Sequence, residues 1–226
     1  METAKPINIA IDGPAGAGKS TLARLLAARF GFVYVDTGAL YRSIGLFALR
    51  KGVEPSDAAG VRALLPEIRV ELKFKGGKQH VLLCGEDVSA RIRTPEVSDA
   101  ASRVSAIPAV RTFLLGLQRD IAARSNVVMD GRDIGTVVLP GALVKIFLSA
   151  SPEDRARRRY EEMLAKGQPA VYERVLADMV ERDRADSGRD VAPLKPAPDA
   201  VRVDTTGFPL EKSLATLAAL VKERLT

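Results

Sequence analysis

The sequence predicts an α/β chain built on a parallel sheet, and three observations carry that reading. Five short apolar runs alternate with segments of helical periodicity, the pattern of strands covered on both faces. The first run opens directly into a glycine-rich turn followed by a helix. One stretch breaks the alternation with a period-two hairpin, as a small insert would.

In chain order, residues 7–11 form the first strand and close on Asp12-Gly13. Over residues 19–30, Leu22, Leu25, Leu26 and Arg29 fall at helical spacing. Residues 33–35 are the second strand, and Asp36 or Thr37 is placed to cap a helix reaching Lys51, with Gly52 at its end. Residues 126–130 and 143–148 are further strands. A last strand at 200–203 precedes a helix over about 209–224. Between about residues 61 and 100 the pattern changes: 69–74 alternate, Gly76-Gly77 turn, and 80–84 return, giving an antiparallel β subdomain. His80 reads there as an ordinary strand residue and Cys84 as a buried thiol. The proline-rich stretch 192–198 reads as a turn back into the last strand.

Composition excludes several classes. With 226 residues, 46% hydrophobic and 27% charged, the chain is ordinary for one folded domain with a sizeable core. No apolar run approaches the roughly 20 residues needed to span a bilayer. Residues 1–5 lead straight into a strand, with neither a signal-peptide nor a transit-peptide pattern. A single cysteine forbids an intrachain disulfide, and a reducing cytoplasm is expected. A single histidine excludes a His-rich metal site. The net charge of +6 favours anionic partners without choosing among nucleic acid, acidic membranes and nucleotides.

Gly13-Pro14-Ala15-Gly16-Ala17-Gly18-Lys19-Ser20 fits G-x-x-x-x-G-K-[ST] in full, with a strand before it and a helix after it. The glycines let backbone N–H groups turn inward onto phosphate oxygens, Lys19 supplies a point charge to the β- and γ-phosphates, and the Ser20 hydroxyl suits Mg²⁺. No N-K-x-D guanine motif is present, which argues against a GTPase.

The acceptor side must then identify the class. Arg42 follows the second strand by one helical turn, and Arg132-Asp133 follow Met129-Asp130 at the end of a strand, where open sheets bind ligands. Either arginine taken alone is a solvated charge; placed at strand ends beside the glycine-rich loop, both become candidates for a second phosphate. Segment 151–190 carries 8 Arg and 1 Lys against 10 acidic residues, 9 − 10 = −1, so it is no nucleic-acid patch. Within it Arg155, Arg158 and Arg159 share a helical face, the pattern of an ion-pair-rich surface helix. Tyr172, Val175, Met179, Arg182, Asp186 and Arg189 form one continuous stripe that begins apolar and ends charged. Such a stripe either runs into a polar, anion-binding cavity or ends in solvent, and Gly188 is placed to stop the helix before Arg189.

Together these segments carry a resemblance. I-D-G-P-A-G-A-G-K-S-T (11–21), D-T-G-A-L-Y-R (36–42), G-E-D-V-S with I-R-T-P-E-V (85–97), D-G-R-D-I-G-T-V-V (130–138), K-I-F-L-S-A-S (145–151) and E-R-D-R-A-D-S-G-R (181–189) occur in the order found in the bacterial cytidylate kinase family. The chain resembles that family over essentially its whole length. The resemblance implies the nucleoside monophosphate kinase fold: a five-stranded parallel sheet with helices on both faces, a single domain over 1–226, a CMP-binding insert at 61–100 and a mobile lid region at 151–190.

The implied activity is transfer of the γ-phosphoryl group of Mg·ATP to CMP or dCMP. UMP, or a shikimate-like hydroxy acid, is the alternative acceptor. Residues Gly13 to Thr21 would hold ATP, with Ser20 on Mg²⁺ and the lid arginines Arg155, Arg158 and Arg159 reaching the same nucleotide. Arg42 and Arg132 would bind the CMP phosphate, and Asp36 and Thr37 would also contact this substrate. Ser102, Arg111 and Asp133 would read cytosine, and Arg182 and Asp186 the ribose and phosphate. Lys19, Arg132, Arg182 and Arg189 would carry the catalysis. One departure is visible, since the family pattern has Ser where this chain has Thr37; the hydroxyl is kept and a methyl is added. A cytoplasmic monomer with neither nucleic-acid nor membrane partner is expected.

Overall fold

The computed structural model describes residues 5–225. The reading of the N-terminus as free of a leader falls largely on residues 1–4 and lies outside them. Five strands form the parallel sheet the alternation predicts, in the order β2-β6-β1-β7-β8. They are β1 (Asn8–Asp12), β2 (Val33–Asp36), β6 (Val127–Gly131), β7 (Val144–Ser149) and β8 (Val201–Asp204). A second, antiparallel sheet joins β3 (Val70–Lys75), β4 (Lys78–Leu83) and β5 (Glu86–Asp87). The chain gathers into two compact units, one built on Val33–Val127 and the other on Ile7–Phe32 with the residues from Val128 onward.

The first unit holds the small sheet with α2 (Thr37–Arg50), α3 (Ala58–Leu64), α4 (Pro95–Val104) and α5 (Pro108–Arg124). β3 and β4 pair from Val70↔Leu83 to Lys75↔Lys78, and the register sends Val70, Val81 and Leu83 inward. There they meet Leu40 and Ile44 of α2, Val97 and Val104 of α4, and Val110 and Leu114 of α5 in one core. Asp36 caps α2, as the sequence suggests, by accepting from the Ala39 N–H at 3.0 Å.

In the second unit β1 pairs with β7 and β7 with β8, both parallel, in the registers Ile9↔Val144 and Ile146↔Val201. α1 (Lys19–Phe30) lies against β1 and against α8 (Leu210–Leu225). α6 (Pro152–Ala165) and α7 (Tyr172–Ser187) pack as a pair around Ala156, Val175 and Met179. Residues 192–198 are irregular and lead back to β8.

Two sequence readings need correcting. Cys84 is exposed, not buried. β4 ends at Leu83, and Cys84 then enters a left-handed turn with Gly85 (φ +50° and +87°) that swings its side chain out of the sheet pattern. The hairpin also carries a third strand, β5, whose two residues are too few to show a period. His80 is the strand residue expected, with Nδ1 2.9 Å from Asp87 Oδ2.

Candidate active site

β1 ends in Asp12, and the chain turns through Gly13, Pro14, Ala15, Gly16, Ala17 and Gly18 into α1. At Gly13 φ is +148°, and a Cβ there would lie 1.9 Å from the carbonyl oxygen of Leu148 on β7. Any L side chain would collide with backbone held in the sheet, so only glycine allows this exit. α1 begins at Lys19. Gly18 caps it without a side-chain acceptor, and its first turn holds no acidic residue, so the positive helix end is available to an external anion.

Lys19 is buried and donates through Nζ to the Pro14 carbonyl at 2.6 Å. Burial pushes its ammonium well below the usual lysine range, and the nearby Arg132 guanidinium pushes it further. Asp130, Asp12 and Asp186 pull in the opposite direction. The next residue, Ser20, donates through Oγ to Asp130 Oδ2 at 2.8 Å. A hydroxyl beside a carboxylate is the hard oxygen set that Mg²⁺ prefers, so these residues fit the ion. Asp130 is a site residue that local sequence reading misses. It lies 110 positions from Ser20, and its trace in the sequence is the first Asp of Asp130-Gly131-Arg132-Asp133 at a strand end.

Asp12 is likewise buried, and its two oxygens each accept a main-chain N–H, from Ile134 and from Gly135, at 2.7 Å. These residues open a wide helical turn, Ile134–Val138, in which the N–H groups of Val138 and Leu139 reach back five residues. Burial raises the Asp12 carboxyl to about 6 in spite of the two N–H donors. Asp133, at the start of that turn, is buried, and its carbonyl accepts from Val137 and Val138.

Arg132 donates its Nε–H to Asp186 Oδ2 at 2.7 Å, and Arg189 donates to the other oxygen of Asp186. Burial opposes ionisation of Asp186, but Arg132, Arg189 and Arg182 hold its carboxyl below the usual range. The stripe on α7 therefore runs from Val175 and Met179 in the core to a charged cluster, as its spacing suggests. α7 ends at Ser187, before Arg189, yet Arg189 still reaches back to it.

The α6 arginines separate. Arg155 is 2% exposed, which overturns its reading as part of a surface ion-pair helix. Its guanidinium donates to the carbonyls of Ala150 (2.8 Å) and Ala15 (2.9 Å) and to Asp183 Oδ2 (2.5 Å), tying the glycine-rich loop to both α6 and α7. A side chain on Gly16 would meet Met179 and Arg155 at 3.0 and 3.2 Å. Arg158 pairs with Asp154 and with the Thr205 carbonyl, and Arg159 with Glu162. Thr21 is half-buried in the first turn of α1.

The first unit groups the other predicted residues. Asp36 Oδ2 accepts from Arg42 Nη2 at 2.7 Å. Thr37 is buried, at 2% exposure, so its added methyl lies within the packed start of α2. Arg111 on α5 donates to the Ser105 carbonyl at 3.0 Å, and its guanidinium carbon lies 5.5 Å from the Tyr41 ring centroid. Ser102 joins this group through its carbonyl, which accepts from Ser105 Oγ at 2.8 Å.

Comparison with known proteins shows the family of the chain. The family model described as "Cytidylate kinase" matches residues 9–223. A protein named cytidylate kinase from Pelotomaculum thermopropionicum is 52% identical over 215 residues, covering 95% of either chain. One of the same name from Carboxydothermus hydrogenoformans is 49% identical, covering 95% of this chain and 97% of its own. Another, from Solibacter usitatus, is 48% identical, covering 98% of this chain and 95% of its own. Among solved structures, an uncharacterized protein from Eubacterium ventriosum superposes with a TM-score of 0.52 at 12% identity, covering 96% of this chain and 98% of that one, a likeness of fold alone. Among the described residues no helix is long and apolar enough to cross a membrane.

Proposed function

The chain belongs to the cytidylate kinase family, and on that premise we propose that it transfers the γ-phosphoryl group of ATP to CMP, and to dCMP, through the residues described above. The observation that carries the mechanism is the charged cluster in which the buried Lys19 and Asp186 meet the partly exposed Arg132, joined by Arg189 and Arg182. It concentrates positive charge without offering a histidine or a free glutamate as a base.

That is what this chemistry requires. A CMP phosphate oxygen is already anionic near neutral pH and attacks the γ-phosphorus directly. The bond from γ-phosphorus to the bridging β,γ oxygen breaks, and ADP leaves with that electron pair. Catalysis is then positioning and charge stabilisation, supplied by Lys19, Arg132, Arg182 and Arg189. Ser20 and Asp130 would hold Mg²⁺, which neutralises charge on the phosphates when bound. Residues Gly13 to Thr21 bind the ATP phosphates in this reading. Arg155 shapes their loop from beneath, and Arg158 and Arg159 belong to the lid. Water exclusion by that lid protects the phosphoryl group from hydrolysis.

For the acceptor, the family resemblance assigns Arg42 and Arg132 to the CMP phosphate, Asp36 and Thr37 to contacts with the same substrate, and Arg182 and Asp186 to the ribose and phosphate. Cytosine offers an N4 amino donor with N3 and O2 acceptors. Asp133 accepts from N4, while Arg111 and Ser102 donate to the acceptors. Uracil sets its O4 acceptor against Asp133 and should lose about 1–3 kcal/mol from the unpaired group.

The test is ADP release from Mg·ATP by the purified chain, alone and with CMP, dCMP, UMP, AMP and shikimate in turn. Turnover that depends on CMP and dCMP, with little from UMP, is expected. Equal turnover with UMP would remove the roles given to Asp133 and Arg111, and ADP release without any acceptor would overturn the kinase reading.

A further inference from the structure

We propose that Gln79 is a positioning residue for the acceptor phosphate: from β4 of the small sheet it fixes the main chain of Asp36 and, through the Asp36 carboxylate, the guanidinium of Arg42. The inference rests on the reading of Arg42 as a ligand of the CMP phosphate.

Gln79 Oε1 accepts from the Asp36 N–H at 2.9 Å, and its Nε2 donates to the Asp36 carbonyl at 3.3 Å. One side-chain amide thus takes both main-chain groups of a single residue, the bonding a neighbouring strand would otherwise supply. The residue so held is the junction where β2 stops and α2 starts, in the extended conformation (φ −81°, ψ +96°) that a helix cap needs. With its backbone fixed, the Asp36 carboxylate divides its two oxygens. Oδ1 takes the Ala39 N–H at 3.0 Å and sets the first turn of α2, and Oδ2 takes Arg42 Nη2 at 2.7 Å.

Arg42 is therefore held by one edge. Its Nε is buried and makes no hydrogen bond among the described residues, while the side chain keeps 21% of its surface open. A buried guanidinium donor left without an acceptor is unfavourable in a resting protein and favourable once an oxyanion arrives. The direction of that donor depends on the Asp36 carboxylate, and the carboxylate depends on the Gln79 clamp. No residue other than glutamine does all of this from β4. Asparagine is one methylene shorter, glutamate keeps the acceptor but loses the donor, and alanine releases Asp36 altogether. Local sequence cannot show the link, since Gln79 and Asp36 stand 43 positions apart.

A structural role alone, fastening the hairpin to β2, makes a different prediction, and a ligand without the phosphate separates the two. Full-length Gln79→Ala, Gln79→Glu, Arg42→Ala and the double Gln79→Ala/Arg42→Ala variant are compared with the parent by calorimetric binding of CMP and of cytidine, with the KM for ATP measured alongside. Gln79→Ala should weaken CMP about five- to tenfold, the worth of the lost hydrogen bonds, and leave cytidine binding and the ATP KM within about twofold. Gln79→Glu, which sets a carboxylate oxygen against the Asp36 carbonyl, should weaken CMP at least as much as Gln79→Ala and leave cytidine binding within about twofold, and it carries the test if the alanine variant fails to fold. In the double variant Gln79→Ala should add less than about twofold to the loss from Arg42→Ala, because it acts through that side chain.

Equal weakening of CMP and cytidine would overturn the proposal in favour of a structural role, as would an additive loss in the double variant. Unchanged CMP binding in Gln79→Ala, with clear loss in Arg42→Ala, would overturn it while leaving the phosphate reading intact. Unchanged CMP binding in Arg42→Ala would overturn the phosphate reading itself.

Discussion

Arg132 and Asp186 are joined by a hydrogen bond of 2.7 Å from Nε to Oδ2, linking the residue after β6 to the last turn of α7. Asp186 is 1% exposed and also receives Arg189, so one carboxylate balances two arginines. Removing it leaves guanidinium groups in a partly desolvated place without a counter-charge, which is costlier than never having had the pair.

Asp186→Ala should therefore lose about 3 kcal/mol of stability, read by urea unfolding at pH 7, and at least about a hundredfold in kcat. The folded carboxyl is held below its ordinary value, so its stabilising effect is present above about pH 4 and disappears as pH falls through the lowered value. A variant as stable as the parent at pH 7 would show that the two arginines need no anion.

Asp12 should behave with the opposite sign. Its carboxyl is raised from 3.8 to about 6 by burial, so the folded protein binds this proton more tightly than the unfolded chain does. Between about pH 4 and 6 the parent should lose stability relative to Asp12→Asn as pH rises, by up to about 3 kcal/mol, and the difference should be flat above that range. Unfolding free energies of both proteins across pH 4–8 test this. A difference independent of pH would mean that Asp12 is ionised throughout.

Asp133→Ala should narrow the preference for CMP over UMP by about 1–3 kcal/mol in kcat/KM, most of it through loss of CMP turnover. A ratio that does not move would free Asp133 from reading the base.

Gly13→Ala and Gly31→Ala separate collision from conformation. Both positions have positive φ, +148° and +68°, but a Cβ at Gly13 meets a carbonyl oxygen at 1.9 Å, whereas at Gly31 nothing lies within 4 Å. Gly31→Ala should cost about 1–2 kcal/mol, the strain of a left-handed residue. Gly13→Ala should exceed it by several kcal/mol or fail to yield folded protein. Comparable melting temperatures would show that the sheet yields at Leu148.

What the sequence discloses depends on how far apart the partners lie. The strands, the glycine-rich turn and the α2 cap are legible because their causes sit within a few residues: apolar runs, Gly13 to Ser20, and Asp36 three positions before Ala39. The stripe on α7 is legible because helical periodicity alone aligns Val175, Met179, Arg182 and Asp186. Asp130, Gln79 and the buried state of Arg155 are not, since each is defined by a partner in a remote segment: Ser20, Asp36, and Ala15 with Asp183. Arg155 in particular looks like its neighbours Arg158 and Arg159 until the glycine-rich loop is placed beside it. Cys84 misleads for a local reason. The apolar run of β4 ends one residue earlier than its composition suggests, and the left-handed turn changes which way the next side chain faces.

That turn has a practical consequence. The chain has one cysteine, an exposed residue just past the end of β4 whose Sγ lies 3.5 Å from the Glu67 carbonyl at the surface. A maleimide dye or spin label would therefore attach at a single defined point without any engineered substitution, four residues after His80 and five after Gln79. The same accessibility exposes the protein to air. Stored without reductant, two molecules can join through this sulfur, and a band of doubled mass on a non-reducing gel would then report storage conditions and not a native assembly.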